Sequence, residues 1–321
     1  MGIFVENGGI LTTVQDAGRF GYQQYGVSPA GPMDSRSFCL ANILAGNDRS
    51  EGGLEISFMG PRLRFRKGNV IAVTGGDLSP KINGAEIPMY QAVAVAEGDV
   101  LSFGGMRNGC RGYIAFAGGL DVPVVMGSKS TLLRNKLGGI QGRKLQKGDE
   151  IGFVNPKSML PDMEKRKIPQ EVFPAKEVVL RVVTGPQDDE FTERGLKNFF
   201  WHSGVISNEY DRMGCRIECD PIEHKGDGNI NTDGISLGSI QVPTNGKPII
   251  MLADRQSTGG YAKIGTVVTV DLPLLTQSMP GMKIRFIRVS LNLAQDLYIR
   301  QLNTLKALEE KLGQNQEEMV K

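Results

Sequence analysis

"VIAVTGGDLSPKINGAEIPMYQAVAVAEGDVLSF", from Val70 to Phe103, decides the fold class. Val70-Ile71-Ala72-Val73-Thr74 is a short apolar and β-branched run that stops at Gly75-Gly76-Asp77. Asn83-Gly84 follows, flanked by Lys81-Ile82 and Glu86-Ile87. This dipeptide is the strongest short-range hairpin signal, because a type I′ turn needs positive φ at both central residues. Ala92–Val95 then leads through Glu97-Gly98-Asp99 into Val100–Phe103. Short strands separated by tight turns are the mark of an all-β architecture.

Working outward, Gly112–Ala117 reads as a further strand with a Gly-Gly stop. A small unit recurs as EGDVLSF from Glu97, KGDEIGF from Lys147 and PGMKIRF from Pro280. Each is a glycine turn followed by a strand ending in Phe, which hints at two related halves. The 42 glycines fit many turns. Helices are few. Asp34–Gly46 carries an Asp N-cap and a Gly stop, 188–201 has acidic residues in its first turn, and Leu291 to about Gly313 repeats leucines near helical spacing. Between Asn155 and Lys176 the chain turns rich in Pro and charge, which reads as a linker. The expected organisation is a β-rich domain over 1–155, a linker over 156–176, a second β-rich domain over 177–290 and a helix over 291–321.

Composition narrows the function. A net charge of +2 on 321 residues is too mild to imply a nucleic-acid partner. No apolar run reaches the ~18 residues of a membrane span, and the N-terminus reads as neither signal peptide nor myristoylation site. Cys39, Cys110, Cys215 and Cys219 form no CxxC pair and only His202 and His224 are present, so free thiols in a cytoplasmic protein without a zinc site are expected. No phosphate-binding loop occurs. Gly234-Ile235-Ser236-Leu237-Gly238 matches a nucleophile-elbow pattern, but turn and strand signals follow it where a helix is required.

Chemistry concentrates in polar, glycine-rich clusters: TTVQDAGRFGYQQYGVSPAGPMD from Thr12, SNEYDRMGCR from Ser207, HKGDGNINTDGISLGSIQVP from His224 and ADRQSTGGYAKIG from Ala253. Glycine lets backbone N–H groups approach a ligand, and arginine forks suit planar carboxylates or phosphates. Tight turns fixed by ion pairs use the same residue types, and Asp34 reads most simply as a helix cap. The clusters nominate Asp16, Arg19, Arg212, Asp233, Asp254 and Arg255 for catalysis. They nominate Gln15, Tyr22, Asp34, Lys225, Asp227, Gln256, Gly259, Gly260 and Lys263 for substrate binding, and nothing for a metal.

Together these motifs resemble the family of the 5-oxoprolinase C-type subunit, also called allophanate hydrolase subunit 2, KipI-antagonist or biotin-dependent carboxyltransferase, from about Leu11 to Phe286. The resemblance implies a mainly β chain of two cyclophilin-like β-barrel domains with a few helices and a C-terminal helix. It implies a 5-oxoprolinase B-type (KipI-like) partner, a LamB/YcsF-type third component, a small amide or lactam substrate, and ATP, with Mg, acting in the complex. The alternatives it carries are a carboxyltransferase of a biotin-dependent urea carboxylase system, or a non-enzymatic antagonist of a KipI-like kinase inhibitor. Met282-Lys283 is not followed by a second Met, so no covalently attached biotin is expected on this chain. Tyr210 stands where the family has a small residue, Cys215 where an aromatic is common and Ser257 where Thr is usual, changes that bear on substrate shape.

Overall fold

A computed structural model describes residues 2–313. The chain is mainly β and divides into two units, each discontinuous in sequence. The first comprises residues up to 18, 34–172 and from 300 onward; the second comprises 19–33 and 173–299. The linear division of the sequence reading therefore omits two exchanges: residues 19–33 group with the second unit, and the later part of the C-terminal helix groups with the first.

In the first unit the strands form two antiparallel sheets. The seven-stranded sheet runs in the order Leu120–Asp121, Glu150–Phe153, Gly2–Asn7, Arg62–Phe65, Val100–Phe103, Pro80–Ile82, Ala85–Glu86. The five-stranded sheet runs Leu11–Gln15, Gly53–Ser57, Asn108–Phe116, Asn69–Asp77, Ala92–Val95. The strand that opens the sequence argument is buried on both faces, which explains why it reads as an unbroken apolar run. Side chains alternate across a strand. Ile71 and Val73 accordingly join Ile114, Phe116, Val5 and Phe65 in a core shared by the two sheets. Ala72, Tyr113 and Ala115 point the other way, onto Phe38, Ile43 and Leu44 of the Ser35–Leu44 helix and onto Leu305 and Leu312. Asn83 and Gly84 take φ of 51° and 86°, as the hairpin turn requires. The recurring glycine turns at Gly98, Gly148 and Gly281 share one left-handed conformation, with φ of 92°, 96° and 89°.

The second unit is a closed barrel in the order Glu177–Thr184, Lys263–Val267, Ser239–Gln241, Ile249–Met251, Gly214–Glu218, Gly204–Tyr210, Lys283–Arg288. It closes by the parallel pairing of its first and last strands, Glu177 opposite Lys283. Val178, Leu180 and Val182 alternate into its core, where Met33 from the inserted 19–33 segment also lies. The Glu193–Trp201 helix starts at Thr192, whose side chain accepts from Gly195 N, and stacks Phe199 on Phe286 at 4.4 Å. A two-stranded ribbon pairs Asn229–Gly234 with Thr258–Tyr261.

Of the two barrels expected, the second unit has one and the first unit has two open sheets. Short strands and glycine turns are common to sandwiches and barrels, so the sequence signal does not separate them. The Leu291–Lys311 helix forms where its leucines recur. Among the described residues no helix is long and apolar enough to cross a membrane.

Candidate functional site

The Thr12–Asp34 cluster is shared between the two units, and its polar residues are largely engaged in holding local structure. Gln15 is fully buried and donates from Nε2 to Thr13 Oγ1 and the Thr131 carbonyl. The Asp16 carboxylate accepts from Ser128 Oγ at 2.6 Å, Lys129 N at 2.6 Å, Ser130 Oγ at 2.6 Å and Gly18 N at 3.0 Å. It thereby ties down the 128–130 loop. Asp34 caps the Ser35–Leu44 helix, accepting from Ser37 N and Ser37 Oγ. Arg19 is fully buried in the second unit, and its N–H donates to the Pro29 carbonyl. Tyr22 is half-buried at the start of a 3-10 turn.

The second and third clusters meet in the barrel unit. Arg212 and Asp254 form a buried, bidentate ion pair: Nε to Oδ2 at 3.0 Å and Nη2 to Oδ1 at 2.8 Å, with both side chains under a tenth exposed. Arg212 Nη2 also donates to the Gly31 carbonyl at 2.7 Å, and Ser28 Oγ donates to the Arg255 carbonyl at 2.5 Å. These bonds fasten the 19–33 segment to the loop after the Ile249–Met251 strand. The segment's density of glycine, proline and small polar residues follows from its course. It runs close to polar backbone and must satisfy that backbone without a ladder of its own.

Arg255 is nine-tenths buried. Its guanidinium donates to two carbonyls, Ile235 O at 3.1 Å and Leu252 O at 3.3 Å. Among the described residues no carboxylate pairs with it, and burial pushes its pKa down. Lys263 is buried and donates from Nζ to Asp233 Oδ2 at 2.6 Å and to the Gly234 carbonyl at 3.0 Å. That hydrogen bond holds the Asp233 carboxyl below the usual carboxylate range. Lys263 thus tethers the end of the ribbon strand at Asp233 and Gly234, and Arg255 the residue just after it, Ile235. Lys225 and Asp227 lie on an exposed turn, where the Asn229 N–H lowers the Asp227 pKa. His224 packs against Phe191 and lies 3.0 Å from the Val242 carbonyl through Nε2, a structural placement.

A cavity of about 520 Å³ opens in this unit. Its lining includes Asn208, Tyr210, Asp211 and Arg216, then Gln241, Ile249 and Met251, and Gln256, Gly259, Gly260 and Tyr261. Of the residues nominated from sequence, Gln256, Gly259 and Gly260 line it. Arg212 is adjacent in sequence to the lining residues Asp211 and Met213, and Asp254 stands two positions before Gln256, whereas Gln15, Asp16 and Asp34 belong to the other unit. Arg216 sits in an exposed pair with Glu209 at 2.7 Å. Sequence reading missed Gln241, Asn208 and Tyr261 as individual residues. The available signal was Gln241 itself, an amide inside the otherwise apolar or small run Ser239-Ile240-Gln241-Val242. Ser236 Oγ pairs with Ser239 Oγ on a turn that leads into a strand, so no nucleophile elbow forms.

The sequence matches the carboxyltransferase domain, subdomain A and B, over residues 25–288. The chain belongs to this carboxyltransferase-domain family. Among its relatives, the C-type subunit of the 5-oxoprolinase of Escherichia coli K12 is 34% identical over 92% of this chain and 95% of its own length. The urea amidolyase of Saccharomyces cerevisiae is 33% identical over 94% of this chain but only 17% of its own length. The crystal structure of the K. lactis urea amidolyase superposes with a TM-score of 0.88 at 32% identity, covering 96% of this chain and 20% of that one. In this carboxyltransferase-domain chain Tyr210 lines the cavity and donates its hydroxyl to the Leu275 carbonyl at 3.0 Å, whereas Cys215 is buried in the barrel core.

Proposed function

We propose that this chain is the C-type subunit of a cytoplasmic, ATP-dependent 5-oxoprolinase. In this reading it works with a B-type (KipI-like) partner and a LamB/YcsF-type component to open 5-oxoproline to L-glutamate. The observation that carries the reading is the end-to-end match with a free-standing 5-oxoprolinase component, over 95% of that protein's length. The larger urea amidolyases share this region as about a fifth or less of their chains. The barrel unit is the cyclophilin-like domain of this account, and its cavity is the lactam site.

Ring opening breaks the lactam C–N bond. Water supplies the new carboxylate oxygen and the nitrogen takes up the proton. The amide is resonance-stabilised, so coupling to hydrolysis of ATP drives the step. The part assigned to this chain is binding and orientation. Arg255, a buried guanidinium that donates to the Ile235 and Leu252 carbonyls, precedes the lining residue Gln256, and a substrate carboxylate or phosphoryl group reaching it would relieve its unneutralised charge. The Arg212–Asp254 pair holds the loop that carries Gln256. Asp233 and Lys263 set the ribbon that presents Gly259 and Gly260, whose backbone can face a developing oxyanion. Among the described residues no three His, Cys, Asp or Glu side chains gather to hold a metal.

A second reading is favoured by the 0.88 superposition on a urea amidolyase: carboxyl transfer from carboxybiotin to urea, with biotin carried on another chain. Co-expression with the B-type partner tests the first reading. A complex stable through size exclusion, hydrolysing ATP only when 5-oxoproline and the LamB/YcsF-type component are added, is the expected result. Separate elution at micromolar concentration, or copurification of a biotinylated protein with urea-dependent turnover, contradicts it.

A further inference from the structure

We infer that Gln241 is the residue that reads the ligand's carbonyl, donating from Nε2 to the oxygen of a planar amide bound in the cavity. This rests on the cavity's being the substrate site. Gln241 is only 5% exposed, yet among the described residues its Nε2 has no hydrogen-bond partner. A buried donor without an acceptor is costly, and native structures keep such groups rarely, often for a ligand. Three cations of the same unit are instead matched: Arg212 by Asp254, Lys263 by Asp233 and Arg216 by Glu209.

Two features aim the amide. The strand ladder shifts register between Ile240 and Gln241 where it pairs with the Lys263–Val267 strand, and a bulge of this kind re-aims the side chain. Gly259 crosses directly against the amide. A Cβ there would stand 2.7 Å from Gln241 Nε2 and 2.8 Å from Ile235 Cδ1. Gly260 has room, its nearest atom being the Ile230 carbonyl at 3.5 Å. The bare backbone of Gly259 therefore leaves space for Gln241, while Gly260 is not so constrained. The lining holds three neutral amides, Asn208, Gln241 and Gln256, together with the charged Glu209, Asp211 and Arg216 and the apolar Ile249 and Met251. The amides suit the neutral carbonyl end of a lactam or a urea.

The test is calorimetric titration of the complex copurified with the B-type partner, using 5-oxoproline and urea as separate probes. The proteins are wild type, Gln241→Leu, Gly259→Ala and Gly260→Ala. Gln241→Leu and Gly259→Ala are expected to weaken the bound probe by about tenfold or more, and Gly260→Ala by no more than about twofold. Wild-type affinity in Gln241→Leu overturns the assignment and leaves the 5-oxoprolinase reading intact. Binding of urea but not 5-oxoproline, with the same variant pattern, upholds Gln241 and removes the 5-oxoprolinase reading. Binding of neither probe by the wild type overturns both.

Discussion

Replacing Arg212 with Met isolates what the buried pair contributes. In the native protein its guanidinium is bonded bidentately to Asp254 and donates to the Gly31 carbonyl, and both charged side chains are under a tenth exposed. Arg212→Met removes the Arg212 guanidinium from the buried Asp254 carboxylate and this donor from the Gly31 carbonyl. Breaking a buried pair from one side costs about 3–5 kcal/mol. For a unit of roughly 140 residues that lowers the melting temperature by roughly 10–15 °C. The double variant Arg212→Met, Asp254→Leu removes both charges and should recover most of the loss, because matched apolar replacements of buried pairs are close to neutral. Arg216→Met, which breaks the exposed pair with Glu209, serves as the control and should cost about 1 kcal/mol or less. Scanning calorimetry reads the melting. Limited chymotrypsin digestion reads release of the 19–33 segment, whose Phe20 and Tyr25 are exposed. A melting temperature for Arg212→Met within about a degree of wild type would refute the reasoning.

Four further outcomes are expected. Arg255→Ala should lower activity by about a hundredfold or more, with Arg255→Lys failing to restore it, since a point charge lacks the guanidinium fork; normal steady-state turnover in the Ala variant would remove its role. Gln241→Leu should raise the stability of the free protein by about 1 kcal/mol while weakening ligand, because an unmatched buried amide is exchanged for an apolar group; a lowered urea midpoint would contradict this. Asp16→Ala should cost about 2–3 kcal/mol in urea unfolding, since two hydroxyls and two backbone N–H groups lose their acceptor, and a loss under about half a kcal/mol would show that the 128–130 loop does not depend on it. The Asp233 carboxyl has a folded pKa below its unfolded value near ~3.9, so its tether of the ribbon contributes above that pH and is lost as pH falls through the lower folded value. Asp233→Asn should flatten that acid limb in pH-dependent hydrogen exchange of the 229–234 strand, and an unchanged limb would sink the assignment.

Much of the fold is legible because its signals are local. Asn83-Gly84 names its own turn, Asp34 its own helix cap, and the leucines of 291–311 their own face. What is not legible depends on distance. Nothing local says that residues 19–33 pack with a barrel whose first strand begins at Glu177, because Met33 and Gly31 acquire their partners only through tertiary structure. Closure of one strand set into a barrel, and not the other, is likewise decided by long-range pairing such as Glu177 with Lys283. The same limit applies at the site. Composition marks Asp254 and Arg212 as special but cannot show that they are matched to each other, and it cannot show that Asp16 is saturated by a loop more than a hundred residues away. Gln241 lies inside a conspicuous motif yet does not stand out from it, because burial without a partner is a property of three dimensions.

The most direct measurement is the fate of isotopically labelled 5-oxoproline in the complex of this chain with its KipI-like and LamB/YcsF-type partners. The account predicts labelled glutamate formed with ADP released in step with ring opening, and none when this chain is left out. ADP release without labelled glutamate, or glutamate formed equally well without this chain, would contradict it.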